Sequence, residues 1–512
     1  MTSFGSKTIT VVLINNDTEP GAILAPCEGG APVASAQVIL LADAAQERHR
    51  TFQLVSRMYP PIVTQCFKAY DIRGQVPAQL NEEIAYRIGR ALVAELKGTT
   101  FVVGRDMRLE SPPMASALIR GITEAGADVI DIGLCGTEEV YFATSHYKVD
   151  GGVMITASHN PKGYNGMKLV KAESRPISGD TGLDAIRLRV DQGKLGAAAA
   201  VKGVVRQAFD KTAYIDHLLT YVDVSSLKPL KILADPGNGA AGPVLQALAA
   251  RLPIQWVFIN EEPDGDFPNG VPNPLLSENR ELTRKALLDN QCDMGLAWDG
   301  DFDRCFFFDA SGRFIEGYYV VGLLAEMMLK RHPGSKIIHD PRLTWNTIEQ
   351  VKQAGGIPVQ SKTGHAFIKE RMRVEDAVYG GEMSAHHYFR DFAYCDSGMI
   401  PWLLVVALVS STGKPLSEQV NERISAFPCT GEINYKAVDV ARTIEHVVAH
   451  YRAQSPVLDM TDGVSVAFDE WRFNLRGSNT EPLLRLNIEG RGNSELIWAR
   501  LKEIETLIDA SQ

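Results

Sequence analysis

FVVGRD, residues 101–106, is an apolar run that ends in an aspartate and gives way to a stretch of helical character, the pattern of a buried strand feeding a helix. The pattern recurs in KILADP (231–236) and KIIHDP (336–341). Each run has a sequel, a second apolar strand: DVIDIG (128–133), IQWVFIN (254–260) and IPVQS (357–361). A third strand follows and leads into a polar loop in GGVMITASHNP (151–161), CDMGLAWDGDFDR (292–304) and AVYGGEMSAHH (377–387). Three similar units of this kind, each delivering one loop from a strand end, place binding groups along a shared crevice.

After the turn-prone Phe427-Pro428 the chain changes to alternating strands, VSVAF (464–468) and LLRLNIE (483–489), and one terminal helix. The expected fold is therefore α/β: three similar α/β domains with mixed sheets, then a smaller α+β C-terminal domain, around a central cleft. The expected bounds are 58–205, 206–313, 314–428 and 429–512, preceded by a poorly ordered extension over 1–57. That extension has one short apolar stretch, Ile9 to Ile14, without the basic flank of a signal peptide, and Met58 offers an alternative start.

A length of 512 residues suits several domains at roughly 100 to 200 residues each. No run approaches the roughly 18 apolar residues of a membrane span. The net charge of -10 argues against a nucleic-acid surface and leaves room for a local basic pocket that takes a small anion. Seven scattered cysteines, Cys27, Cys66, Cys135, Cys292, Cys305, Cys395 and Cys429, contain no C-x-x-C and suit a reducing, cytoplasmic setting.

The chemistry is concentrated in the loops. In Asp299-Gly-Asp301-Phe-Asp303-Arg304 three carboxylates two residues apart share a side if the segment is extended. At about 4 Å and an effective dielectric of 20, each like-charge pair costs on the order of 4 kcal/mol, which a divalent cation more than offsets. An all-oxygen set with few protein ligands suits Mg²⁺. An acidic surface turn is the bland alternative, and the apolar runs on either side weigh against it.

The loop from Thr156 to Lys168 sets Ser158 among glycines, His159 and Lys168, so Ser158 is a candidate nucleophile or phosphate carrier, with a plain polar turn as the alternative. Glu382, Ser384, His386 and His387 offer a carboxylate, a hydroxyl and imidazoles for sugar hydroxyls and proton movement. Arg476-Gly-Ser478-Asn479-Thr480 is a competent phosphate cradle or an ordinary hairpin turn. Taken together, the four loops supply the parts for phosphoryl transfer to a sugar. Gly237-Asn-Gly239-Ala-Ala-Gly242 matches a dinucleotide fingerprint, but Asp235-Pro236 interrupts strand and glycines, and a nicotinamide site would leave the aspartates without a role.

TASHNPKGYNGMK (156–168), DGDFDR (299–304), GGEMSAHHYFRD (380–391) and RGSNTEP (476–482), with FKAYDIRG (67–74) ahead of them, resemble the motifs of the phosphohexomutase family, particularly the bacterial phosphomannomutases, in family order. Residues 1–57 lie outside the resemblance. It implies a phosphoserine at Ser158, with Ser158, Asp299, Asp301 and Asp303 around Mg²⁺. Glu382 and Ser384 would bind the sugar 3- and 4-hydroxyls, and Arg476, Ser478, Asn479 and Thr480 the phosphate not being transferred. Tyr70, Arg73, His159, Lys168, Arg304, Thr363, Gly364 and His365 would line the cleft. His386 is the best match for the general base, with Arg73 and Lys168 in support.

The implied activity converts mannose 6-phosphate to mannose 1-phosphate and back through a hexose 1,6-bisphosphate, both intermediate and activator, supplying precursors of nucleotide sugars. The rivals are a bifunctional phosphomannomutase/phosphoglucomutase and, further off, a magnesium-dependent sugar phosphatase. Met383, where the glucosamine-phosphate subgroup carries Gln, disfavours that substrate. The expected partners are small sugar phosphates, with no nucleic acid and no membrane, for a monomer or dimer.

Overall fold

A computed structural model describes residues 59–436, 438–477 and 483–511. The expected N-terminal extension lies outside the described residues, as do Ser478, Asn479 and Thr480.

The threefold pattern in the sequence is a threefold pattern in space. Strands Thr100–Arg105, Lys231–Asp235 and Lys336–His339 each lie inside a sheet between two parallel neighbours. On one side is the second strand of the repeat, Asp128–Leu134, Gln255–Phe258 or Ile357–Gln360. On the other is the third, Gly151–Ile155, Met294–Trp298 or Tyr379–Gly381. A fourth strand then returns antiparallel: Tyr164–Lys171, Cys305–Asp309 or His387–Phe389. The third strands are buried along their whole length, which is why their sequences are apolar without alternation.

The helices bear the marks of their surroundings. Glu82–Leu96 starts where Asn81 Oδ1 accepts the Ile84 N–H at 3.0 Å, carries Glu82 and Glu83 in its first turn, and buries Ile88, Ala91 and Leu92. Ile400–Thr412 is apolar all round and therefore central; it starts with a proline in its first turn and stops at Gly413, at φ 70°. Its Trp402, Leu403 and Val405 belong to one continuous core shared by the second and third sheets.

The segment leading into that helix joins the units. Trp298 Nε1 donates to the Gly398 carbonyl at 2.9 Å, while buried Glu138, from the first unit, accepts Ser397 Oγ at 2.9 Å and the Met399 N–H at 3.1 Å. The fourth unit is a five-stranded antiparallel sheet whose own core, with Tyr451, Phe473, Leu486 and Ile504, packs under helices Val440–Tyr451 and Ser494–Ala510. Among the described residues no single helix is long and apolar enough to cross a membrane.

Candidate active site

Each repeat emits its polar loop at the same place, between the third strand and the antiparallel strand that follows, and these loops meet. Ser158 Oγ donates to Asp299 Oδ2 at 2.8 Å. Arg304 and His386 form an isolated antiparallel bridge, and His386 Nε2 lies 3.6 Å from Asp303 Oδ1.

Ser158 is buried and held at φ 48°, in the left-handed region, where a residue with a Cβ is strained. Its N–H is taken by Thr156 Oγ1 at 2.8 Å. Arg108, 1 % exposed, spreads its guanidinium over the loop, donating to the Ser158 carbonyl at 2.9 Å and to those of Pro161 and Tyr164 at 3.1 Å each. Arg73 holds the same loop through the Ala157 carbonyl at 3.3 Å and pairs with Asp71 at 2.7 Å. His159 Nδ1 is 3.0 Å from Ser158 Oγ. Burial and the charges of Arg304 and Arg73 push its pKa well below the usual histidine range, so the ring is neutral.

Asp299, Asp301 and Asp303 are all buried, and each offers a carboxylate oxygen within 4.8 Å of the others. Asp301 Oδ2 accepts Thr137 Oγ1 at 2.6 Å and Lys168 Nζ at 2.8 Å, and Lys168 also pairs with Asp303. Burial opposes the Lys168 charge, but the two aspartates outweigh it and hold its pKa above the usual lysine range. Arg304 Nε donates to Asp299 Oδ2 at 2.9 Å, yet burial, with Asp303 and Asp301 nearby, still pushes Asp299 up to about 6. Asp301 Oδ1 and Asp303 Oδ1 are buried without a hydrogen-bond partner. Buried carboxylate oxygens that lack hydrogen bonds, beside a carboxyl that is reluctant to ionise, are what a hard divalent cation relieves, so the residues fit Mg²⁺.

The glycine motif has a use here. The Ala240 N–H donates to the Gly300 carbonyl at 3.0 Å, and a Cβ on Gly239 would meet that oxygen at 3.1 Å. Its close backbone approach thus buttresses the aspartate loop.

In the third loop Glu382 is buried. Its Oε2 accepts the Tyr388 hydroxyl at 2.6 Å and lies 3.2 Å from His386 Nδ1, while its Oε1 accepts the Gly364 N–H at 3.1 Å. Burial works against charge on His386, but Asp303 and Glu382 prevail and push its pKa up to about 9. Asp303 is the stronger of the two influences, so a cation held on that carboxylate would weaken the ring's hold on its proton. Ser384 Oγ is 3.4 Å from His386 Nδ1. Thr363 Oγ1 and His365 Nδ1 are buried and unpartnered, and the Tyr70 ring packs edge-on to His365 with centroids 6.2 Å apart. Arg476 is buried beside Glu432, Nη2 to Oε2 at 3.2 Å.

Several residues of this arrangement escape sequence reading: Arg108, Thr137, Asp340, Arg342 and Glu432. Arg342 pairs with Asp340 at 2.7 Å and reaches Ser384 Oγ at 3.3 Å. Asp340 is the aspartate that closes the opening run of the third repeat, and Asp106, its counterpart in the first, sits 3.6 Å from Arg108. The shared aspartate, followed two residues on by arginine in both repeats, was the signal available.

Family models described as phosphoglucomutase/phosphomannomutase α/β/α domains I, II and III match residues 64–196, 212–312 and 316–427. A protein named "Phosphohexose mutases" from Xanthomonas campestris is 60% identical over 442 residues, covering 86% of this chain and 98% of that one. A phosphomannomutase from Escherichia coli K12 is 56% identical over 450 residues, 87% of this chain and 99% of that one. A crystal structure of a phosphoglucomutase/phosphomannomutase family protein from Burkholderia thailandensis superposes with a TM-score of 0.79 at 30% identity, covering 88% of this chain and 98% of that one. With three consecutive domain models matched in order and relatives of this identity spanning nearly their full length, the chain belongs to the phosphohexomutase (phosphoglucomutase/phosphomannomutase) family.

Proposed function

We propose that this chain is a phosphomannomutase, an isomerase that interconverts mannose 6-phosphate and mannose 1-phosphate through a phosphoserine at Ser158 and a hexose 1,6-bisphosphate. The observation that carries this reading is Ser158 Oγ, 2.8 Å from Asp299 in a loop packed against three buried carboxylates, on a chain 56% identical to a phosphomannomutase.

In the resting enzyme Ser158 carries the phosphoryl group. As a sugar hydroxyl attacks in line, the P–O bond to the sugar forms, the bond to Oγ breaks, and the hydroxyl proton leaves. The bisphosphate then turns over, and its other phosphoryl group returns to Ser158. Asp299, Asp301 and Asp303 would hold Mg²⁺, which supplies positive charge beside the phosphoryl oxygens. Lys168 and Arg304 hold these carboxylates in place and add charge of the same sign.

His386 carries the proton, returning it when the sugar oxygen leaves and taking it when that oxygen attacks. Glu382 and Ser384 bind the 3- and 4-hydroxyls, and Arg476 with Ser478, Asn479 and Thr480 holds the remote phosphate. Tyr70, Arg73, His159, Thr363, Gly364 and His365 line the cleft. Contacts of this kind serve both orientations of a bisphosphate, since the two hydroxyls and a distal phosphate are present in each.

A bifunctional phosphomannomutase/phosphoglucomutase is the second reading, because mannose and glucose differ at the 2-hydroxyl, which Glu382 and Ser384 do not read. A cytoplasmic location fits the six free cysteines among the described residues. Purified protein assayed with Mg²⁺, a trace of hexose 1,6-bisphosphate and either mannose 1-phosphate or glucose 1-phosphate should yield the 6-phosphates. Ser158→Ala should not. Release of inorganic phosphate without isomerisation would make the protein a phosphatase.

A further inference from the structure

Glu432 stands near the start of strand Cys429–Lys436, just after an irregularity in its pairing with Leu483–Gly490 and next to Gly431 at φ 69°. A bulge of this kind re-aims the side chain that follows it. The Glu432 carboxylate is set among three guanidiniums: Oε2 is 3.2 Å from Arg476 Nη2 and 3.5 Å from Arg342 Nη1, and Oε1 is 3.3 Å from Arg485 Nη1. Arg476 and Arg485 belong to the fourth sheet; Arg342 follows the first strand of the third.

Arg342 also touches the proposed sugar loop, with Nη2 3.3 Å from Ser384 Oγ and 3.5 Å from Glu382 Oε1. Arg342 and Arg476 are 3 % and 4 % exposed, and the Nε–H of each is buried without an acceptor. Asp340 also pairs with Arg342 at 2.7 Å and Asp462 lies 3.9 Å from Arg476 Nη1, yet each guanidinium keeps a buried donor to spare that a phosphate oxygen would satisfy. Burial and the Arg342 charge both pull the Arg476 pKa down, so the two cations strain against each other.

We propose that Glu432 is a positioning residue. By bridging Arg342 and Arg476 across the seam between the third and fourth sheets, it holds them as one site for the phosphate group that is not being transferred. This rests on the mutase reading above. Glu432 is the carboxylate the two guanidiniums share: without it Arg342 keeps Asp340 and Arg476 keeps the longer contact to Asp462, but nothing ties one to the other against their repulsion; with it, a phosphate arriving from the cleft finds its donors already oriented.

The test is steady-state kinetics with mannose 1-phosphate on Glu432→Gln, Glu432→Asp and Arg476→Ala, with inorganic phosphate as an inhibitor and a thermal melt of each protein. Glu432→Gln should raise KM about tenfold with kcat within about threefold, the scale expected for breaking a partly buried charge pair. The inhibition constant for inorganic phosphate should rise in parallel, and Glu432→Asp should recover most of the loss. An unchanged or lower KM in Glu432→Gln, beside a raised KM in Arg476→Ala, would overturn the proposal and leave the phosphate reading intact. Unchanged KM in both would remove the reading as well. A fall in kcat and melting temperature that Glu432→Asp does not rescue would make Glu432 a structural prop and equally overturn the proposal.

Discussion

Ser158 Oγ and Asp299 Oδ2 lie 2.8 Å apart, so a phosphoryl group on the serine would be built directly against a buried carboxylate. Burial has pushed that carboxyl up to about 6 despite Arg304, and two further aspartates stand beside it. The phosphorylated site is then strongly anionic and calls for a cation. Asp301→Asn and Asp303→Asn should each lower kcat by about 10²-fold or more and weaken the dependence on added Mg²⁺. Chelation should silence the wild type, and Mg²⁺ should restore it. Wild-type turnover in either variant would contradict the assignment.

The backbone at Ser158 is strained independently of its chemistry, since φ is 48°. Ser158→Ala and Ser158→Gly both lose the hydroxyl, but only glycine tolerates the conformation freely. Denaturant melts should find the glycine variant more stable than the alanine variant by about 1 kcal/mol, net of the extra entropy of its unfolded chain. The reverse order would mean that the turn is not held in this conformation.

His387 is fully buried, with Nδ1 2.7 Å from the Tyr379 hydroxyl and Nε2 without a partner. Burial, and then the charge on His386, push its pKa down to about 3. In the unfolded chain a histidine titrates near 6.5, so below that pH the unfolded state binds a proton that the folded state refuses. Stability should fall as pH drops from 6.5 towards 3, by at most about 1.4 kcal/mol per unit from this group. His387→Phe should remove that share of the slope, and urea midpoints at pH 7, 6 and 5 would measure it. Parallel slopes in the two proteins would count against a buried neutral ring.

Glu489 is 0 % exposed and brings the fourth sheet onto the third unit. It accepts the N–H groups of Thr344 at 2.6 Å and Trp345 at 3.1 Å, where helix Trp345–Gln353 begins, and pairs with Arg472 at 2.7 Å. Glu489→Ala leaves a buried guanidinium and an uncapped helix start, and should cost about 3 to 5 kcal/mol. A chemical melt that moves by less than about 1 kcal/mol would show the contact to be dispensable.

The repeats and motif loops were legible because each is written in consecutive residues. A buried strand must be apolar, a carboxylate cluster two residues apart must be balanced, and a strand end opens a loop. Arg108 and Arg342 carry one local sign, the aspartate two residues before each, but nothing beside them or beside Glu432 in the sequence says which distant carbonyls, hydroxyls and carboxylates the fold brings within reach. Glu138 illustrates the gap: an acidic residue in the first turn of a helix reads as a dipole partner, yet it accepts from Ser397 and Met399 some 260 residues away. The family resemblance matches His386 to the base. That Glu382 and Asp303 favour a proton on it is a property of two loops, the second and the third, in contact.

The most direct test follows the phosphoryl group itself. Protein freed of phosphate would be incubated with hexose 1,6-bisphosphate and Mg²⁺, analysed by intact mass and peptide mapping, then chased with mannose 1-phosphate. One phosphoryl group on Ser158, passed to the sugar in the chase, is the expected result. A protein that turns over mannose 1-phosphate with Ser158 unmodified, or that gives its phosphoryl group only to water, would contradict the account.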